Sequence, residues 1–250
     1  MKNNIIAIDT SKEYSFHVDK HLERSKNEIL EWFCVEQVEF KVNVYIYQDI
    51  TNLRMGLQKR GLGLYPAHMV ACMVDENLER GITRSINLCE PPIISDNQEY
   101  TKKEYDQVIY HELIHYITDL LFGILPEWLT EGIAKYLDGS YQKGINYLME
   151  NYINKYEIPD IATMKNDFFV AKKYEKVQTE VGEEIKEITI YDGYDLGYIM
   201  ICYLLETQGK DYLLALMRNK ESIKELEQSI LTEAIAYFNC QYSKENTIKI

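Results

Sequence analysis

The chain has 250 residues, 46% of them hydrophobic, with 40 acidic against 27 basic side chains and a formal net charge of −13. That length suits one catalytic unit able to bury a substantial core. The acidic balance excludes the clustered Lys and Arg of a nucleic-acid-binding surface, so no nucleic-acid partner is expected.

Near the amino terminus, Ile5-Ile6-Ala7-Ile8 is far too short an apolar run for a signal-peptide core. No later segment offers about 18 uninterrupted apolar residues, so the chain reads as cytoplasmic, without a membrane partner. Residues 14 to 100 read as α+β. A helix is expected near Val18 to Phe33, a strand at Phe40 to Tyr47, a helix near Asn52 to Arg60, and strands around Met69 to Asp75 and Thr83 to Leu88. His17, His21 and His68 read as surface or capping groups.

From about residue 101 the pattern turns helical. Val108, Ile109, Leu113, Tyr116, Ile117, Leu120 and Leu121 recur at helical spacing, and Thr101 with Glu104 reads as a capping box. That helix gives way to a turn through Gly123 and Pro126, then to a second helix ending near Gly139. A Tyr-rich helix follows near Gln142 to Tyr156, whose Tyr141, Tyr147, Tyr152 and Tyr156 read as a packing face. Val170 to Tyr191 is charged, with Gly182 in its middle, and reads as a surface hairpin or loop. Helices are expected again at Leu196 to Glu206, Asp211 to Arg218 and Ile223 to Phe238. Cys34, Cys72, Cys89, Cys202 and Cys240 are odd in number, far apart and without a C-x-x-C pair, which argues for reduced thiols rather than a disulfide framework or a thiolate zinc site.

The chemistry concentrates in His111-Glu112-Leu113-Ile114-His115. Residues four apart share one face of a helix, so His111 and His115 can offer two imidazoles to one ion. Glu112 is placed to take a proton from water that the metal acidifies rather than to bind the metal. A catalytic zinc needs a third protein ligand. Glu131 is the candidate, because the helical hairpin can return it to the histidine face, and an unpaired carboxylate in that apolar stretch would be costly to bury. One Zn2+ per chain is expected.

His111 to His115 followed by Trp128-Leu129-Thr130-Glu131-Gly132-Ile133-Ala134 resembles the gluzincin zinc peptidases, especially the aminopeptidase N-like and peptidase-MA-like groups with H-E-x-x-H then W-L-x-E-G-x-A. The match covers about thirty residues. Tyr194-Asp195-Leu196-Gly197 resembles the family's Y-x-x-G element, which implies Tyr194 as the donor that stabilises the oxyanion, with Tyr191 as the alternative. The resemblance implies an α+β, zincin-like (thermolysin-like) two-lobed fold forming a single catalytic unit over 1–250. Residues 1–122 would form an α/β lobe with a mixed sheet and the zinc helix, and 123–250 a helical lobe. It also implies that an edge strand of the sheet pairs with an extended substrate, for which Thr83 to Cys89 is the candidate.

The expected activity is therefore a zinc-dependent peptidase acting on a peptide or protein substrate, with Glu112 and Tyr194 catalytic and His111, His115 and Glu131 on the metal. Three departures shape that expectation. The His115 to Glu131 spacing is a little short for the family, no G-x-M-E-N exopeptidase sequence is present, and Lys135 stands where thermolysin-like enzymes carry an acidic residue. Aminopeptidase activity is accordingly not implied. The rival class is a noncatalytic metal-binding regulatory or scaffold protein of the same fold.

Overall fold

The computed structural model describes residues 3–8, 10–36, 40–62, 70–78, 81–90, 93–94, 98–99, 102–139, 144–155, 157–179 and 182–247. They form two compact units of mixed α+β content, Met1–Gly123 and Ile124–Ile250. Thr101, His68, Tyr141 and Tyr156 lie outside the described residues.

In the first unit β1 (Asn4–Ile8), β2 (Asn43–Tyr47), β3 (Ala71–Leu78) and β4 (Gly81–Cys89) make a sheet in the order β1-β2-β4-β3. β1 and β4 run parallel to β2, while β3 is antiparallel to β4. The register pairs Val44 with Ile86 and Ile46 with Leu88, which puts four fully buried β-formers on one face. On the other face Tyr47, Cys72, Val74 and Cys89 pack with Leu53 and Leu57 of α2 (Ile50–Lys59). α2 starts where Asp49 accepts from the Asn52 N–H at 2.7 Å, a side-chain cap. α1 (Lys12–Trp32) is capped by Ser11, and its buried Val18, Leu22, Ser25, Lys26, Ile29 and Leu30 follow one another as a stripe at helical spacing of three to four residues. It packs on α3 (Lys102–Phe122), beyond the short strands β5 (Ile93–Ile94) and β6 (Gln98–Glu99).

One expectation is corrected here. The Thr83 to Cys89 segment belongs to β4, which is bonded on both sides, so it is not an edge strand; among the described residues the outer antiparallel strand is β3. β4 buries Ile86 and Leu88 on one face and Ser85 and Asn87 on the other, as a central strand does. The charged Asp75-Glu76 pair in β3 is the composition of an edge.

The second unit holds α4 (Glu127–Asp138), α5 (Gly144–Lys155), α6 (Ile161–Asn166), β7 (Val170–Thr179), β8 (Gly182–Asp192), α7 (Gly193–Thr207), α8 (Lys210–Arg218) and α9 (Lys220–Thr247). α7 is apolar on most sides, with Leu196, Ile199, Met200, Ile201 and Leu204 buried, and it packs against α4, α8 and α9. β7 and β8 form the charged hairpin, paired antiparallel and largely exposed. Among the described residues no helix is long and apolar enough to cross a membrane.

Candidate metal centre

α3 carries the first motif. Tyr105, Ile109, Leu113, Tyr116 and Ile117 are buried at intervals of three to four, which leaves His111, Glu112 and His115 half-buried on the flank. The two imidazoles meet edge-on with centroids 4.7 Å apart, and their Nε2 atoms are 3.0 Å apart. Two nitrogens bound to one zinc at 2.0–2.1 Å with a tetrahedral angle sit about 3.3 Å apart, so the observed separation, itself a hydrogen-bond distance, is about 0.3 Å shorter than that of two zinc ligands.

Polar side-chain contacts fix this helix to its unit at both ends. His17 Nε2 lies 2.6 Å from Asp106 Oδ1 in the first half of α3, and Arg84 Nε donates to Asp119 at 2.6 Å while standing 3.2 Å from Asp75. His21 is buried, contrary to its reading as a surface or capping group; burial lowers its pKa, against the opposing charge of Asp106. The Cys72 thiol of β3 is raised above its ordinary range, first by burial and then by the Glu112 carboxylate. Glu112 therefore projects beside β3.

The second motif is built in the other unit. Glu131 is half-buried on α4, between Trp128 and Leu129 on one side and Ile133 and Ala134 on the other, all buried. The Trp128 indole N–H donates to Glu227 of α9 at 3.3 Å, and Glu227 also pairs with Lys165. Gly132 is required by contact: a Cβ there would lie 2.4 Å from the Gly197 carbonyl oxygen on α7. The glycines of W-L-T-E-G and Y-D-L-G thus face each other, and α4 and α7 approach backbone to backbone.

That approach sets Tyr194 near the start of α7, one residue beyond Gly193, with its N–H capped by Asp192 at 2.9 Å. Its ring packs on Phe168 and Phe169 at 5.8 and 5.6 Å, and Lys135 Nζ stands 5.2 Å from its centroid. Tyr191 is 2% exposed and its hydroxyl donates to the Asp167 carbonyl at 2.6 Å, a structural bond. Burial pushes the Asp195 carboxyl up to about 6, outweighing the nearby Lys135 charge. It also raises Glu127, with the Glu131 charge adding to the effect. Sequence reasoning noted Lys135 only as a departure; its position one turn after Glu131 was the available signal. Glu227 carried no local signal, because its partner Trp128 is 99 positions away.

Compared with known proteins, the chain matches no family model and no curated protein.

Proposed function

We propose that the chain is a zinc-dependent peptidase of the zincin-like, two-lobed kind, resembling the gluzincins, in which His111, His115 and Glu131 hold one Zn2+. The observation that carries this reading is the paired imidazoles of α3, with Nε2 atoms 3.0 Å apart and Glu112 beside them. In further support, Glu131 is half-buried among buried apolar neighbours of α4, where a carboxylate without a partner is costly. Two histidines with one carboxylate suit zinc.

When bound, zinc supplies Lewis acidity that brings water to a pKa of about 7 and polarises a carbonyl. Glu112 takes the proton of the attacking water and returns it to the leaving amine. Tyr194 donates a hydrogen bond to the oxygen that gains charge. The substrate is a peptide in extended form, added along β3. The outer position of that strand and the proximity of Glu112 to its Cys72 both favour this path.

Elemental analysis of the purified protein beside His115→Ala and Glu131→Ala tests the metal site, and a mixed-peptide digest with and without chelator tests the activity. One zinc per chain, lost in both variants, with chelator-sensitive release of new amino termini is the expected result. Zinc without cleavage would make the chain a metal-binding module, and absence of metal would end the reading.

A further inference from the structure

We infer that Lys135 is a positioning residue for Tyr194, holding the phenol ring in one orientation through its ammonium group. The inference deepens the peptidase reading and rests on it, since it is the proposed oxyanion donor that is being held. Lys135 Nζ lies 5.2 Å from the ring centroid, within the distance at which a cation is attracted to an aromatic face.

The surroundings make that contact decisive for the ring. The backbone on both sides has no slack: Gly132 and Gly197 lock α4 against α7, and a Cβ on Gly193 would meet the Phe168 carbonyl. Phe168 and Phe169 bound the ring on two sides, at interplanar angles of 62° and 42°. Lys135 supplies a third contact, from the helix that bears Glu131 and one turn further on.

The charge of Lys135 acts locally. Asp192 and Asp195, both on the first turn of α7 or its cap, feel its field, and each has its carboxyl stabilised by it against burial. A cation answered by two carboxyl groups is poorly suited to capture an anionic substrate and well suited to fix a neighbouring ring. Lysine and methionine have similar reach, so the ammonium rather than the bulk is the feature to remove.

The test combines Lys135→Met and Lys135→Arg with Tyr194→Phe in the full chain, using the peptide most readily cut in the mixed-peptide digest. Lys135→Met is expected to lower kcat roughly tenfold with little change in KM. Lys135→Arg should restore most of that loss, and Lys135→Met should cost nothing further in the Tyr194→Phe background. Equal losses in both backgrounds would show a general structural effect and overturn the inference.

A second readout does not need turnover. Fluorotyrosine placed at position 194 should give a 19F resonance that shifts in Lys135→Met and returns in Lys135→Arg; an unmoved resonance overturns the inference. If the wild-type protein cleaves no peptide, the peptidase reading falls, and the resonance still decides whether Lys135 sets the ring.

Discussion

Gly132 and Gly197 meet backbone to backbone: a Cβ on Gly132 would lie 2.4 Å from the Gly197 carbonyl oxygen, and one on Gly197 would lie 2.6 Å from that of Trp128. The nearest atom in each case is backbone, which cannot swing aside as a side-chain tip does, and the Ile201 side chain would also lie 2.8 Å from the Gly132 Cβ. Gly132→Ala is predicted to push α4 and α7 apart at a cost of about 3 kcal/mol, offset by about 1 kcal/mol from the better helix propensity of alanine. A net loss of about 2 kcal/mol in urea unfolding is expected. An unchanged midpoint would show that the helices separate freely.

Much of the helical framework was legible from sequence, because α3, α4 and α7 bury stripes or whole surfaces whose spacing is local. The α9 helix runs past the expected Phe238 to Thr247, since its last turns are polar and carry no stripe. β1 was not legible: five residues with one apolar run acquire strand form only by parallel pairing with β2, a contact about 39 positions distant. The central place of β4 was hidden for the same reason. At the candidate site, the histidine pair and the E-G glycine were visible as a motif. The Y-x-x-G element pointed to Tyr194 with Tyr191 as the alternative; the bond from the Tyr191 hydroxyl to the Asp167 carbonyl was not legible, because tertiary packing brings the two together.

The proposed division of labour within His111-Glu112-x-x-His115, with the histidines on zinc and Glu112 as the base, predicts that Glu112→Gln and His115→Ala fail in different ways. Glu112→Gln keeps the imidazole pair and removes only the proton acceptor. It should retain wild-type zinc content while losing about 10³-fold in kcat, the usual weight of a general base. His115→Ala removes one of the two Nε2 atoms now 3.0 Å apart and should lose the metal itself. Metal content by elemental analysis, set beside turnover, separates the two. Full activity in Glu112→Gln would sink the assignment of the base.

Asp195 gives the stability a pH dependence of definite sign. Its carboxyl ionises near the ordinary 3.8 when unfolded and near 6 when folded, chiefly because it is buried. Between those values the folded chain retains a proton that the unfolded chain has released. The stabilising contribution is therefore complete below about pH 4 and is lost as the pH rises through about 6. Asp195→Asn removes that slope, and above about pH 7 it should be the more stable protein by a margin on the order of 2 kcal/mol. Urea midpoints of both proteins from about pH 4 to 8 give the comparison; parallel curves would contradict the burial assignment.

Glu227 is 5% exposed on α9, yet it answers two groups on other elements, the Trp128 indole N–H of α4 and the ammonium of Lys165 on α6. Lys165 is half in solvent, so its ammonium regains water when Glu227 is removed, and that pairing is not what decides the outcome. The indole decides it. In Glu227→Leu the buried N–H loses its acceptor, and leaving such a donor unsatisfied costs about 2 kcal/mol. Glu227→Gln keeps a carbonyl oxygen for the indole and should cost about 1 kcal/mol or less. Trp128 and Trp32 are the only tryptophans, so unfolding in a Trp32→Phe background reports on this site through Trp128 fluorescence. Equal stability of the Leu and Gln variants would mean that the bond from Trp128 to Glu227 does not anchor the Glu131 helix.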